Sequence, residues 1–348
     1  MRMGVDKVRF AVVGLGHIGK RHAAMIQERS DAELVALCDV RSPEACGWTQ
    51  DELPWFSSLT ALLASDVEAE VINICTPNGL HAAQTLEVLE ARRHVVVEKP
   101  MALRKQDAEA VIFKSLQVSR QVFAVMQNRY SPTVKWLRQV LQEERLGRVY
   151  LVQMNCFWNR DDRYYRPGGW HGTADLDGGV LFTQFSHFMD IMYWLFGDIC
   201  NIRGNFGNFA HQHSTVFEDA GSISFDFVNG GMGTMTYSTA VWDRNLESSI
   251  TILGEKGTVK IAGQYMDEVS VCHIKDYTMP ELEAANPPND YGAYKGSASN
   301  HGAVIQNVVD TLRGATEVAT NALEGMKVVD IIERIYAVRG PGTATARD

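Results

Sequence analysis

The hexapeptide Gly14-Leu15-Gly16-His17-Ile18-Gly19 is a GxGxxG pattern set between an apolar run, 8–13, and a helix-like stretch, 17–29. In that setting each glycine has a task. The first makes a tight turn, the second lets a pyrophosphate approach the main chain, and the third lets the helix pack closely on its strand. The helix start then offers free N–H groups and a positive dipole end to the phosphates. Asp39 follows Gly19 by 20 residues at the end of the next apolar run. A carboxylate there accepts from the ribose 2′-hydroxyl of NAD and repels a 2′-phosphate. Arg41 is a cation that could serve such a phosphate, but the acid favours NAD. A glycine turn without a ligand is the plain alternative, and strand, helix and acid together weigh against it. Lys99 is the next residue able to do chemistry, in Val97-Glu98-Lys99-Pro100. A lysine at the carboxyl end of a parallel strand points into the crevice where such sheets bind ligands. It is otherwise a surface lysine before a proline break. Glu98, an adjacent potential partner, and the loop Thr76-Pro77-Asn78-Gly79-Leu80-His81 after the preceding strand count against that.

These residues need a scaffold, and the rhythm of the chain supplies one. Up to about residue 127, continuous apolar runs (8–13, 34–38, 71–75, 95–97, 123–126) alternate with helix-length stretches (17–29, 59–64, 80–91, 105–119). Runs without two-residue alternation suit parallel strands covered on both faces, and the alternation specifies a doubly wound α/β sheet. After residue 145, β-rich segments at 148–157, 221–227, 232–240, 249–253 and 258–261 are punctuated by turns such as Asn229-Gly230-Gly231. Helical stretches at 182–196, 301–313 and 322–338 accompany them. The expected organisation is a Rossmann-type domain over 1–127, an α+β domain with a large, mostly antiparallel open sheet over 128–339, and a tail, 340–348. Segment 232–237 is expected to carry apolar residues on the sheet's open face.

Composition narrows the class. The chain has 348 residues with 33 Lys and Arg against 42 Asp and Glu, so its net charge of −9 argues against nucleic acid as a partner. No apolar run approaches the ~18 residues of a membrane span. The six cysteines are scattered without a CxxC pair, and a reduced, cytoplasmic protein is expected. His171, His211, His213 and His273 show no ligand spacing, so no metal is assigned.

Gly14–Gly19, Thr76-Pro77-Asn78 with His81, and Glu98-Lys99-Pro100 together resemble the signature set of the Gfo/Idh/MocA oxidoreductases, over essentially the whole chain. The resemblance implies NAD(P)-dependent chemistry at a sugar or polyol carbon. It implies a cofactor held by Gly14, Gly16, His17, Ile18, Gly19, Asp39, Thr76, Pro77, Asn78, His81, Glu98, Lys99 and Gln127, with Lys99 in the active site. The family's second-domain signature is an acid four residues before a histidine. His187 matches the histidine, but Thr183 stands where many members carry aspartate, which removes a carboxylate from beside the substrate. His187 is suited by its type to accept an alcohol proton, although with Phe188 and Met189 after it a satisfied core position is the bland alternative. Trp170-His171-Gly172-Thr173, Leu176-Asp177-Gly178-Gly179 and 181–187 are similar to the bacterial UDP-N-acetylglucosaminuronate 3-dehydrogenases. That similarity implies a substrate site drawing on Lys99, Arg129, Arg160, Thr173, Thr183, Gln184 and His187, and a dimer or tetramer joined through the open sheet.

A diphosphate and a carboxylate require cations, and Arg129, Arg160, Arg163 and Arg166 lie near strand ends and loops. Arg163 is equally able to pair with Asp161 or Asp162. Tyr164, Tyr165 and Trp170 could pack on sugar or uracil faces, or lie folded under their loop. Two rivals stand beside this reading: a dehydrogenase of a free sugar or inositol, and a non-catalytic NAD-binding sensor.

Overall fold

The structure, a computed structural model, describes residues 7–49, 52–292 and 294–340; most of the expected tail lies outside them. The chain opens with β1 (Val8–Val13), α1 (His17–Gln27), β2 (Ala32–Cys38), α2 (Pro43–Cys46), β3 (Trp55–Phe56) and α3 (Leu59–Leu63). It continues with β4 (Val71–Ile74), α4 (His81–Glu90), β5 (His94–Val97), α5 (Lys105–Val118) and β6 (Val122–Ala124). The six strands form one parallel sheet in the order β3-β2-β1-β4-β5-β6. Stepping outward on both sides of β1 is what doubly wound connections produce. Every residue of β4 and nearly every residue of β1 is buried, as helices on both faces require. Ser42 and Ser58 cap α2 and α3 by accepting the N–H groups of Ala45 and Ala61.

After Met126 follow α6 (Pro132–Gln142), β7 (Val149–Phe157), α7 (Val180–Thr183), α8 (Ser186–Phe196), β8 (Ile199–Gly207), β9 (Ala220–Phe227) and β10 (Met232–Ser238). Then come β11 (Glu247–Gly254), β12 (Gly257–Ala262), β13 (Glu268–Ile274), the short pair β14 (Pro288–Asp290) and β15 (Lys295–Ala298), α9 (His301–Leu312) and α10 (Ala322–Ala337). The large sheet has the order β13-β12-β11-β7-β10-β9-β8. Its pairs are antiparallel except β7 with β10. The expected fold class is borne out, with that one parallel pair at the centre.

Inside this second sheet Val152, Met154, Met235, Tyr237, Ile250 and Ile252 point to one buried face. Phe185 meets Tyr237 there, with ring centroids 5.6 Å apart. The opposite face differs from expectation. Two-residue alternation turns Met235 and Tyr237 inward and leaves Met232, Thr234, Thr236 and Ser238 outward, so β10 presents mainly hydroxyl side chains to that face.

The chain divides into two compact units, the stretch to Met126 with His301–Val329, and Gln127–Asn300 with the chain from Asp330. Residues 301–329, expected with the second domain, therefore group with the first. The physical reason is visible at both ends of that stretch. His301 reaches a buried carboxylate just after β5, and Ala124 N–H on β6 donates to Thr320 O at 3.0 Å. Among the described residues no helix is long and apolar enough to cross a membrane.

Candidate active site

The nucleotide cradle forms within the first unit. Gly14 has φ +90, and a Cβ there would meet the Cys75 carbonyl oxygen at 2.7 Å. A Cβ on Gly19 would lie 1.8 Å from Gly14 O, so α1 approaches its strand as closely as the pattern demands. Gly16 is the opposite case, with nothing within 4 Å of where a Cβ would stand. It precedes α1 without a side-chain cap, so the helix start is open to an anion. These features fit a dinucleotide.

Asp39 closes the cradle. Its Oδ2 accepts Leu15 N–H at 2.7 Å, and Arg41 donates Nε and Nη2 to its two oxygens, each at 2.9 Å. Burial opposes ionisation, but the Arg41 guanidinium and the Arg41 and Leu15 N–H groups outweigh it and hold the Asp39 carboxyl at about 2. Arg41 is thus engaged by the acid. After β4, Thr76 donates its hydroxyl to Gln84 Oε1 at 2.6 Å. His81 faces Pro100 O through Nδ1 and Thr76 O through Nε2, both at 2.7 Å, and so ties the Thr76 loop to the loop carrying Lys99. Burial lowers its pKa, opposed by the two carbonyl contacts. Lys99 is half-buried, and its N–H donates to Glu98 Oε2 at 3.2 Å. The rest of the Glu98 carboxylate faces His22 and His301 rather than lying open to a ligand.

The second unit holds the other expected residues. His187, in the first turn of α8, has its Nε2 3.2 Å from Gln127 Nε2, and the same amide donates to Ser297 Oγ at 3.0 Å. Gln127, expected with the cofactor, is thus a neighbour of the histidine. Arg129 gives its fork to Asp190 on α8, Nε at 2.8 Å and Nη2 at 2.6 Å, both partners buried. Arg163 pairs with Asp161, its local alternative, and Arg166 donates to Arg163 O.

Arg160 is buried among three rings, Trp158, Tyr164 and Tyr294, at 4.9, 5.3 and 4.9 Å. It donates to Gln184 Oε1 at 2.7 Å, Asn159 O at 2.6 Å, Asn245 Oδ1 at 3.2 Å and Lys295 O at 3.1 Å. Each of these acceptors is uncharged, so the cation is held by dipoles and ring faces. Gln184 passes the connection on to the Tyr164 hydroxyl at 2.6 Å. Tyr164 and Tyr165 are buried under their loop. Thr173 donates to Trp170 O at 2.8 Å, a turn contact.

Thr183, which stands in place of the family's aspartate, donates its hydroxyl to Asp177, whose other oxygen accepts Gly172 N–H at 2.8 Å. A buried carboxylate therefore touches position 183 after all, supplied from six residues upstream. Asp177 entered the sequence reading only inside the segment 176–179, and Asn245, His22 and Asn73 were not singled out. Their only advance signal is a polar residue on a buried face, as for His22 one turn after Gly19.

Comparison with known proteins identifies the family. Residues 8–125 match the oxidoreductase family with an NAD-binding Rossmann fold, and 134–260 match the GFO/IDH/MocA C-terminal domain. The chain also shares 32% identity, at a TM-score of 0.81, with the WlbA dehydrogenase of Bordetella pertussis, over 95% of this chain and 96% of that one. The chain belongs to the Gfo/Idh/MocA oxidoreductase family. That WlbA structure contains NADH and UDP-GlcNAcA. Two curated enzymes share less of the sequence. The inositol 2-dehydrogenase of Rubrobacter xylanophilus is 26% identical over 272 residues, 75% of this chain and 73% of that protein. The D-glucoside 3-dehydrogenase of Escherichia coli is 27% identical over 202 residues, 56% of this chain. The chain spans little more than half of two curated relatives, 53% of one and 56% of the Escherichia coli protein. NAD is the cofactor of the Rossmann domain.

Proposed function

We propose that the protein is an NAD-dependent dehydrogenase that oxidises the C3 hydroxyl of UDP-N-acetylglucosaminuronate to the 3-keto sugar, in the making of surface-polysaccharide precursors. The observation that carries this reading is the 32% identity, over 95% of the chain, to a dehydrogenase bound to NADH and UDP-GlcNAcA. When bound at Gly14, Gly16, Gly19 and Asp39, NAD supplies the acceptor for the hydride leaving the sugar carbon. His187 takes the hydroxyl proton at Nε2, displacing the Gln127 contact. Lys99 donates a hydrogen bond to the same oxygen and steadies its developing negative charge. Arg160, a buried cation without a carboxylate of its own among the described residues, supports the uronate as the anion it favours.

A second reading, oxidation of a free sugar or inositol, draws on a specific observation: Arg129 and Arg163 already hold Asp190 and Asp161. A free polyol needs no anion clamp. Calorimetric titration with UDP separates the two. Binding in the presence of NAD supports the nucleotide sugar, and no heat at millimolar UDP contradicts it. The thiols of Cys38, Cys46, Cys75 and Cys156 are buried, which fits the reducing cytoplasm; a fusion reporter would test that location.

A further inference from the structure

Glu98, the residue after β5, has a carboxylate that the reaction above does not use. Its Oε1 receives His22 Nε2 from α1 at 3.0 Å and faces His301 Nε2, at the start of α9, at 3.5 Å. Its Oε2 accepts the Lys99 backbone N–H at 3.2 Å. All three side chains are buried. A buried charge persists only where directed hydrogen bonds replace the water it has lost. They do so here. Burial pushes the Glu98 carboxyl up, and the two imidazoles outweigh it and hold it well below the usual range. Burial in turn lowers His301.

Asn73 on β4 decides which proton faces the carboxylate. Its Nδ2 donates to His22 Nδ1 at 2.9 Å. A ring accepting at Nδ1 carries its proton on Nε2, and that proton points at Glu98. The same three groups offer ligand atoms within 4.8 Å of one another, the spacing of a divalent-cation site. With a proton on His22 Nε2, however, that nitrogen has no lone pair for a metal.

We propose that His22, Glu98 and His301 form a buried clamp that fixes the main chain at Lys99, which makes His301 a positioning residue for the lysine's part in the reaction. The inference rests on the reading of Lys99 as catalytic. Elements from three distant parts of the sequence converge on the one peptide group that aims the lysine. The clamp also gives α9 a reason to pack with the first unit.

The test compares His301→Leu, His301→Gln and Glu98→Gln in the whole enzyme, each alone and combined with Lys99→Met. The readouts are kcat, KM for the sugar, and NAD affinity by fluorescence titration. A small misplacement of a reacting group costs about ten- to a hundredfold in rate. His301→Leu and Glu98→Gln should lose kcat on that scale while NAD affinity stays within about twofold. His301→Gln, which keeps an N–H at similar reach, should recover most of the rate. In the Lys99→Met background neither change should slow the enzyme further, because residues acting as a unit are non-additive. Full kcat in both His301→Leu and Glu98→Gln overturns the clamp. So does an undiminished loss in the Lys99→Met background, a parallel loss of NAD affinity, or a stoichiometric divalent metal that His301→Leu releases. Should His301→Leu not fold, the isosteric Glu98→Gln pair decides alone. Full turnover by Lys99→Met itself would instead sink the reading of Lys99, and the clamp with it.

Discussion

His187 and Gln127 show how the site is poised. The amide nitrogen of Gln127 stands 3.2 Å from His187 Nε2 and holds the lone pair that the mechanism requires. His187→Asn keeps a polar side chain of similar reach but no titratable acceptor. It should lower kcat by about 10²–10⁴ with NAD affinity nearly unchanged, and the acidic limb of the pH–rate profile should vanish. Near-full turnover with that limb intact would move the base role to Lys99. Gln127→Glu works on the same nitrogen from the other side. A carboxylate beside the ring favours the imidazolium, so the acidic limb should move to higher pH, and an unmoved limb would disconnect the pair. Asp39 carries the cofactor prediction. Asp39→Ala removes the acceptor for the ribose and also releases Arg41 from its ion pair. NAD affinity should fall about ten- to a hundredfold and NADP should lose less or gain, as read by titration with each. Equal losses for the two would reject the role. The folded value of about 2 lies below the ordinary carboxylate value of 3.8. The stability Asp39 contributes is therefore complete above about pH 4 and is lost as pH falls toward 2.

Among the elements, those buried on two faces were the most legible. β1, β4 and β5 are continuous apolar runs, and their helices begin and end near the turn residues that flank them. Edge elements were harder to see. β8 and β13 lie at the two edges of the large sheet, where Asn201, Arg203, Ser270 and His273 face solvent, and neither is among the expected β-rich segments. The helix expected over 182–196 breaks at Gln184 and Phe185; apolar content continues through the break, so periodicity alone cannot find it. The site divides in the same way. Gly14, Gly19 and Asp39 were readable because local spacing dictates their roles. Arg129 was not, because its partner sits 61 residues away on α8. That pair anchors the helix bearing His187. Arg129→Met removes the guanidinium fork from the buried Asp190 carboxylate, which should cost about 3–5 kcal/mol in urea unfolding. A loss below about 1 kcal/mol would return Arg129 to the list of anion clamps.

At the scale of the whole molecule, the large sheet turns Ser222, Ser224, Thr234 and Thr236 outward on one face. Hydroxyl side chains on a broad face suit pairing with a second copy through hydrogen bonds and bridging water. We expect a dimer or tetramer in sedimentation analysis, and Thr236→Arg should shift it toward monomer; a monomeric wild type would contradict the expectation. The central claim concerns the substrate, and initial rates of NADH formation test it most directly. UDP-N-acetylglucosaminuronate, UDP-N-acetylglucosamine and myo-inositol would be compared at equal concentration with NAD in excess. The account predicts NADH formation with the uronate, accompanied by a 3-keto product, and at least about a hundredfold lower kcat/KM for the other two, since a site built for a charged group rejects analogues lacking it. Turnover of inositol with none of the nucleotide-linked acid would contradict it.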